Sequence, residues 1–202
     1  MNLITPSAPS SPAKKTMQPV RTRQAHELDA EQLYRSLAEQ IKQLVHNSAA
    51  IQNVALVGIH SGGAWLAQRL AKECQLDERL GFIDVSFYRD DYAQRGLHPD
   101  VKPTHIPFDG DHATIILVDD VLYTGRTTRA AINELFDYGR PARILLAALI
   151  DRGGRELPIA ADFVAHRAEF DANSSLHLHR AADGALTLTI DTIDTIEPSD
   201  HA

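Results

Sequence analysis

The stretch TIILVDDVLYTGRTTR, residues 114–129, decides the fold. Its apolar run, residues 115–118, is short and uninterrupted, as in a parallel strand buried on both faces. Two carboxylates, Asp119 and Asp120, follow where that strand should end. Tyr123 then leads into a loop with hydroxyls on both sides of a glycine: Thr124, Gly125, Arg126, Thr127 and Thr128. An amphipathic segment over residues 130–138 predicts a helix soon after. In an open α/β sheet, ligands bind at the carboxyl ends of the strands, and a helix N-terminus offers unpaired N–H groups to an anion. The carboxylates can accept hydrogen bonds from vicinal hydroxyls while the loop holds a phosphate. The combination describes a pocket for a phosphorylated sugar.

Two plainer readings compete. An acidic pair after an apolar strand also suits a magnesium site in a receiver- or phosphatase-type domain, or a solvated strand end beside an ordinary turn. Neither needs hydroxyls around a glycine just downstream, so the loop argues for the sugar phosphate.

The bulk properties narrow the class. A chain of 202 residues that is 44% hydrophobic can bury one substantial core. Its net charge of −7 argues against a protein dominated by nucleic-acid binding. The lone cysteine, Cys74, excludes an internal disulfide and fits a reducing compartment; it lies in a helical pattern as a packing residue. No apolar run approaches the roughly 20 residues of a membrane span. Residues 1–18, rich in Ser, Pro, Thr and Ala, predict a disordered tail ahead of one domain over 19–197. A cytoplasmic protein is expected.

Along the chain, Leu33, Leu37, Ile41, Leu44 and Val45 predict a helix over residues 28–45. Residues 54–59 read as a strand, His60-Ser61-Gly62-Gly63 as a tight turn, and 64–74 as a second helix. Alternating Ile83, Val85 and Phe87 predict a strand over 82–88, and residues 89–112 a long loop. Gly139 and Pro141 should stop the signature helix. Strands are expected at 144–150 and 161–165. Leu176 and Leu178 alternate with His177 and His179, and Leu186, Leu188 and Ile190 with threonines, around a turn at Asp183-Gly184; this is a hairpin. The two histidines read as a solvent-facing pair, with no third metal ligand near them in sequence. Alternating strands and helices predict an α/β fold, a mostly parallel sheet flanked by helices. The hairpin and residues 81–90 would form a smaller cap.

Two further pieces complete the pocket. Glycines in the turn after residue 59 allow close backbone approach, so consecutive N–H groups can form a nest for a second anion. Tyr88-Arg89-Asp90-Asp91 leads into the long loop, whose Arg95, His98, Lys102 and His105 suit either a cover for a polyanion or a solvated excursion.

The stretch 115–128 resembles the 5-phosphoribosyl-1-pyrophosphate (PRPP) signature of type I phosphoribosyltransferases. FYRDD at 87–91, VDDVLYTGRT at 118–127, YGRP at 138–141 and DRGGRELPI at 151–159 narrow the resemblance. Together they are similar to the pyrimidine-operon attenuation regulators that double as uracil phosphoribosyltransferases, the PyrR family, over about residues 25–165. The resemblance implies a type I phosphoribosyltransferase fold with a small β-rich hood. It implies the reaction of uracil with PRPP to give UMP and pyrophosphate. Asp119, Asp120 and Arg89 would be catalytic, and Tyr123, Thr124, Gly125, Arg126, Thr127 and Thr128 would hold the 5′-phosphate. The turn Ile59, His60, Ser61 and Gly62 would bind pyrophosphate, and Arg95 and Lys102 would belong to a closing flap. Phe163, Val164, Asp151 and Arg152 would form the base side. Mg²⁺ would enter mainly on PRPP, with Asp119 and Asp120 as candidate ligands. Implied partners are PRPP, uracil, UMP or UTP, the leader RNA of a pyrimidine transcript, and further copies of the chain.

Three departures stand out. His60-Ser61 replaces the family's basic residue and threonine. Ala165-His166-Arg167 follows Phe163-Val164 where the family has Gly-Lys-Asn, which leaves transfer to another nucleobase open. On the first helix, Ala38, Glu39 and Lys42 match the Thr, Arg and His of RNA-binding forms, and a glutamate there opposes phosphate. A nucleotide-sensing RNA-binding regulator with little catalysis still stands beside the enzyme as an alternative, motivated by Arg129, Arg140, Arg143, Arg152 and Arg155.

Overall fold

Strands built around apolar runs need cover on both faces, and the chain supplies it with helices. The computed structural model describes residues 21–24, 28–47, 53–85, 103–171 and 173–193. Five strands, β2 (Val54–Ile59), β3 (Leu80–Ile83), β4 (Thr114–Leu122), β5 (Arg143–Asp151) and β6 (Phe163–Arg167), form one sheet. Their order is β3-β2-β4-β5-β6 and every pairing is parallel. Helices α1 (Ala30–Asn47) and α2 (Gly62–Cys74) cover one face, and α3 (Arg126–Leu135) the other. Alternation along β4 sends Ile116 and Val118 into the first core and Ile115 and Leu117 into the second. The strand order reverses between β2 and β4, the point where open α/β sheets hold ligands.

A smaller antiparallel sheet, β1 (Arg21–Gln24), β8 (Leu186–Ile193) and β7 (Ser174–Arg180), forms the hood in the order β1-β8-β7. Leu176, Leu178, Leu186 and Ile190 anchor it to the first core. Glu31 of α1 ties it down further: its carboxylate accepts two hydrogen bonds at 2.8 Å from Arg69 of α2 and one at 2.8 Å from the Leu186 amide. The Arg69 bonds hold the Glu31 carboxyl below its ordinary range. A carboxyl depressed in the fold stabilises above its unfolded pKa, and that stability is lost as pH falls through the folded value. Glu31→Gln should therefore destabilise the protein at pH 7, and the deficit should shrink below about pH 4. Urea melts of both proteins at the two pH values check this. An equal deficit at both would deny the tie its charge.

Several expected boundaries move. α1 starts at Ala30 rather than 28 because Asp29 caps it, its Oδ1 accepting the Glu31 and Gln32 amides at 2.9 and 3.1 Å. α3 runs over 126–135, not 130–138: Gly125 takes φ +93°, so the hydroxyl loop turns directly into the helix. Gly139 lies in the following turn, past the helix end. β6 is shifted two residues later than expected. The 81–83 segment is no part of the cap; it pairs parallel to β2 as an edge of the main sheet. In its place β1, which has no alternation to read, adds a third strand to the hood. Asp119 and Asp120 lie inside β4, which continues to Leu122 by pairing with β5. The expected tail at 1–18 and strand residues 86–88 lie outside the described residues. Among the described residues, no helix is long and apolar enough to cross a membrane.

Candidate active site

β2 ends at Ile59, and its pairing with β4 stops at Gly58 and Val118, so the next residues of β4 lose a strand neighbour on that side. The first turn of α2 fills the gap. A Cβ on Gly63 would lie 2.2 Å from the Val118 carbonyl oxygen, and one on Gly62 would lie 2.3 Å from Oδ2 of Asp120. Glycine at both positions lets the turn reach the carboxylate. The His60–Ser61 peptide is cis, the His60 amide donates to Ile83 O at 2.9 Å, and the His60 ring lies 5.6 Å from that of Phe82.

Consecutive residues of a strand point to opposite faces, and this divides the carboxylate pair. Asp119 lines a cavity of about 90 Å³ on the α3 side, with Tyr123, Thr124, Gly125, Thr127, Thr128 and Arg152. Asp120 lines a second cavity, about 270 Å³, with Ser61, Gly62 and Trp65 of the α2 turn. Leu176 and His177 of β7 line both. Both carboxylates are buried, and Asp119 Oδ1 accepts the Asp120 amide at 3.0 Å. Sequence alone suggested two carboxylates side by side; they instead straddle the carboxyl end of β4.

The loop at 124–128 holds a buried hydroxyl without a protein partner among the described residues. Thr128 is 1% exposed, and its hydroxyl has no hydrogen-bond partner among the described residues. A buried hydroxyl left without a partner is costly, and a ligand oxygen would satisfy it. Thr127 and Thr128 of the first turn of α3 line that cavity, and the N–H groups of a helix's first turn have no internal acceptors. Thr124 Oγ1 accepts the Arg126 amide at 3.3 Å, and Arg126 itself turns outward to Glu156, 2.5 Å away.

The remaining expected site residues separate. Asp151 is buried, but its carboxylate is bound by Arg155 and, at 3.0 Å, by Arg167. Arg152 lines the first cavity, yet its guanidinium donates to the Ser174 and Asp171 carbonyls at 2.9 and 3.1 Å and lies 4.1 Å from the Tyr123 ring centre. Both act as ties in this geometry rather than as open donors or acceptors. Phe163 and Val164 pair with Ala147 and Ala148 in the sheet and line neither cavity; the Val164 carbonyl accepts Gln40 Nε2 at 3.1 Å. Arg89, Arg95 and Lys102 lie outside the described residues. His177 is a correction: half-buried and 3.8 Å from Asp191, it lines both cavities, while His179 is exposed, bonds Thr189 at 2.9 Å and borders only the second cavity. The alternating pattern marked its face without telling what that face meets.

The phosphoribosyl transferase domain family matches residues 24–174. A "Bifunctional protein PyrR" of Ralstonia nicotianae is 50% identical over 161 residues, covering 80% of this chain and 91% of its own. Another, of Nitrosococcus oceani, is 44% identical over 172 residues, covering 84% and 96%. The chain belongs to the PyrR family. It is a phosphoribosyltransferase with the type I fold. The same fold is seen in a hypoxanthine-guanine phosphoribosyltransferase from Bacillus anthracis, at TM-score 0.58 and 18% identity, over 75% of this chain and 86% of that one. The DRGGRELP stretch of this chain, 151–158, lies directly behind the loop at 124–128, where the Glu156 and Leu157 amides donate to Thr124 O.

Proposed function

We propose that the protein transfers the phosphoribosyl group of PRPP to uracil, releasing pyrophosphate and forming UMP. The observation that carries this is the division of Asp119 and Asp120 between two adjoining cavities. One is walled by a phosphate-ready helix start and the other by a glycine-rich turn. In this reading the 5′-phosphate binds at Thr124–Thr128, with the Thr128 hydroxyl donating to it. The ribose hydroxyls donate to the carboxylates at the end of β4. Pyrophosphate occupies the cavity beside Ser61 and Gly62. Uracil nitrogen attacks the anomeric carbon as the bond to pyrophosphate breaks, its N–H proton passing to the departing pyrophosphate or to water, and positive charge builds on the sugar ring in the transition state. Two buried carboxylates beside that ring stabilise the charge, and preorganised groups of this kind each contribute roughly 3–4 kcal/mol. Mg²⁺, carried in on PRPP, would supply neutralisation of the leaving group's charge, with Asp119 and Asp120 the carboxylates facing it. Uracil as acceptor rests on the DRGGRELP motif. The altered segment after Val164 makes the choice of base the point to test.

The regulatory role implied by the family has less support on α1. Ala38 is buried, Lys42 is ion-paired with Glu73, and Glu39 is exposed as a carboxylate. Of the five arginines that motivated an RNA surface, Arg152 and Arg155 are committed to internal contacts.

The test is a panel of nucleobases with PRPP and Mg²⁺, run with purified protein. Uracil should be converted to UMP and purines should not. No nucleotide at high enzyme concentration, or a purine preferred to uracil, ends the reading. Titration of a pyrimidine leader RNA with and without UMP belongs in the same experiment, and only weak, salt-sensitive binding is expected.

A further inference from the structure

The loop that receives the phosphate is held from behind by one arginine. Arg155 reaches back from the segment after β5, and its guanidinium donates to the Tyr123 carbonyl, to Ile159 O at 3.0 Å and to the Asp151 carboxylate. Its neighbours grip the next residue: the Glu156 and Leu157 amides both donate to Thr124 O, at 3.0 and 3.2 Å. Tyr123 is fixed on two further sides. Arg152 stacks 4.1 Å from its ring centre, and Gly154, at φ +66°, leaves the space where a Cβ would lie 2.4 Å from the ring edge. Side chains of Leu157 and Ile159 pack 3.5 and 3.4 Å from the Cβ position of Gly125. Residues 151–159 thus touch Tyr123, Thr124 and Gly125 in turn, the three residues leading into α3.

We infer that Arg155 is a positioning residue for the 5′-phosphate: it touches no substrate, and it sets where Tyr123 and Thr124 hold the start of α3. The inference rests on the phosphoribosyl-transfer reading of that loop. A guanidinium spreads five N–H donors in a rigid planar fork over two carbonyls and a carboxylate; a lysine ammonium, a compact point charge on a flexible stem, holds three such acceptors less rigidly. The side chain is 22% exposed, so these bonds are made largely out of water. Asp151 keeps Arg167 as a partner when Arg155 is removed, so substitution does not strand a buried charge.

The test compares Arg155→Met and Arg155→Lys in the full chain, measuring binding of UMP and of uridine, which differ by the 5′-phosphate. Steady-state constants for PRPP and uracil are measured alongside. Misplacing a binding loop by an ångström can cost up to about 10²-fold. Arg155→Met should weaken UMP and raise the PRPP KM by roughly tenfold or more, leave uridine binding and the uracil KM unchanged, and Arg155→Lys should recover only part of the loss. Equal weakening of UMP and uridine, or unchanged UMP affinity in folded protein, overturns the inference. A role confined to stability would lower the melting temperature without separating the two ligands. If Arg155→Met does not fold, the same comparison on Arg155→Lys decides. Wild-type protein with no preference for UMP over uridine would instead defeat the phosphate-loop reading itself.

Discussion

Asp120→Asn is expected to lower kcat/KM for UMP synthesis by about 10²–10³ while the protein stays folded. The substitution keeps shape and removes charge. A carboxylate can accept from two hydroxyls, whereas an amide accepts at one end and donates at the other, so one sugar hydroxyl would meet a donor. The charge matters more than the hydrogen bond. Asp120 is 7% exposed, which keeps its field on the ring from being screened by water as positive charge develops. The first turn of α2 is pressed onto the same carboxylate at Gly62, so an asparagine amide would also face the positive end of a helix. Steady-state kinetics with a parallel thermal melt check this. A loss below about tenfold, with the melt unchanged, would mean that Asp120 does not face the reacting sugar.

What could be read from the chain follows from what each signal reports. β4 was visible because a run of four apolar residues needs burial on both faces, and nothing in its surroundings overrides that. The start of α3 was not, since Thr127 and Thr128 lack the apolar spacing that marks a helix, and only the left-handed Gly125 reveals where the chain turns. Asp119 and Asp120 were found as a pair, but their separation onto two faces follows from the strand continuing to Leu122. That continuation depends on pairing with β5, a partner distant in sequence. The arginines show the limit most plainly. Arg152 and Arg155 counted as available positive charge in the sequence, yet the fold uses both as ties. Charge can be counted from a sequence; partners cannot. His177 failed for the same reason, its face known and its neighbours unknown.

Gly63→Ala sets two rules against each other and should decide between them by sign. Helix propensity alone says that alanine in place of glycine within α2 stabilises by about 1 kcal/mol. The geometry says the opposite. The added methyl would sit 2.2 Å from the Val118 carbonyl oxygen and 2.9 Å from the Asp119 Cα, both backbone atoms of the central strand. Neither can rotate aside as a side-chain end could, so α2 must back away from β4. Overpacking of this kind costs about 1–3 kcal/mol and sometimes more. For a protein of this size, 3 kcal/mol corresponds to a fall of roughly 6–12 °C in Tm. Gly184→Ala is the control: its hood turn has open space around the Cβ position, and only the φ of +89° opposes the change. A left-handed residue costs about 1–2 kcal/mol, a fall of roughly 2–8 °C in Tm, so the control stays below the upper part of the range expected for Gly63→Ala. The displacement of α2 also moves Gly62 away from Asp120, so Gly63→Ala should lose activity at temperatures where it is still folded, and Gly184→Ala should not. A Tm for Gly63→Ala at or above that of the unaltered protein would show that the turn does not press on β4. The cavity that Asp120 shares with Ser61 would then lose its wall.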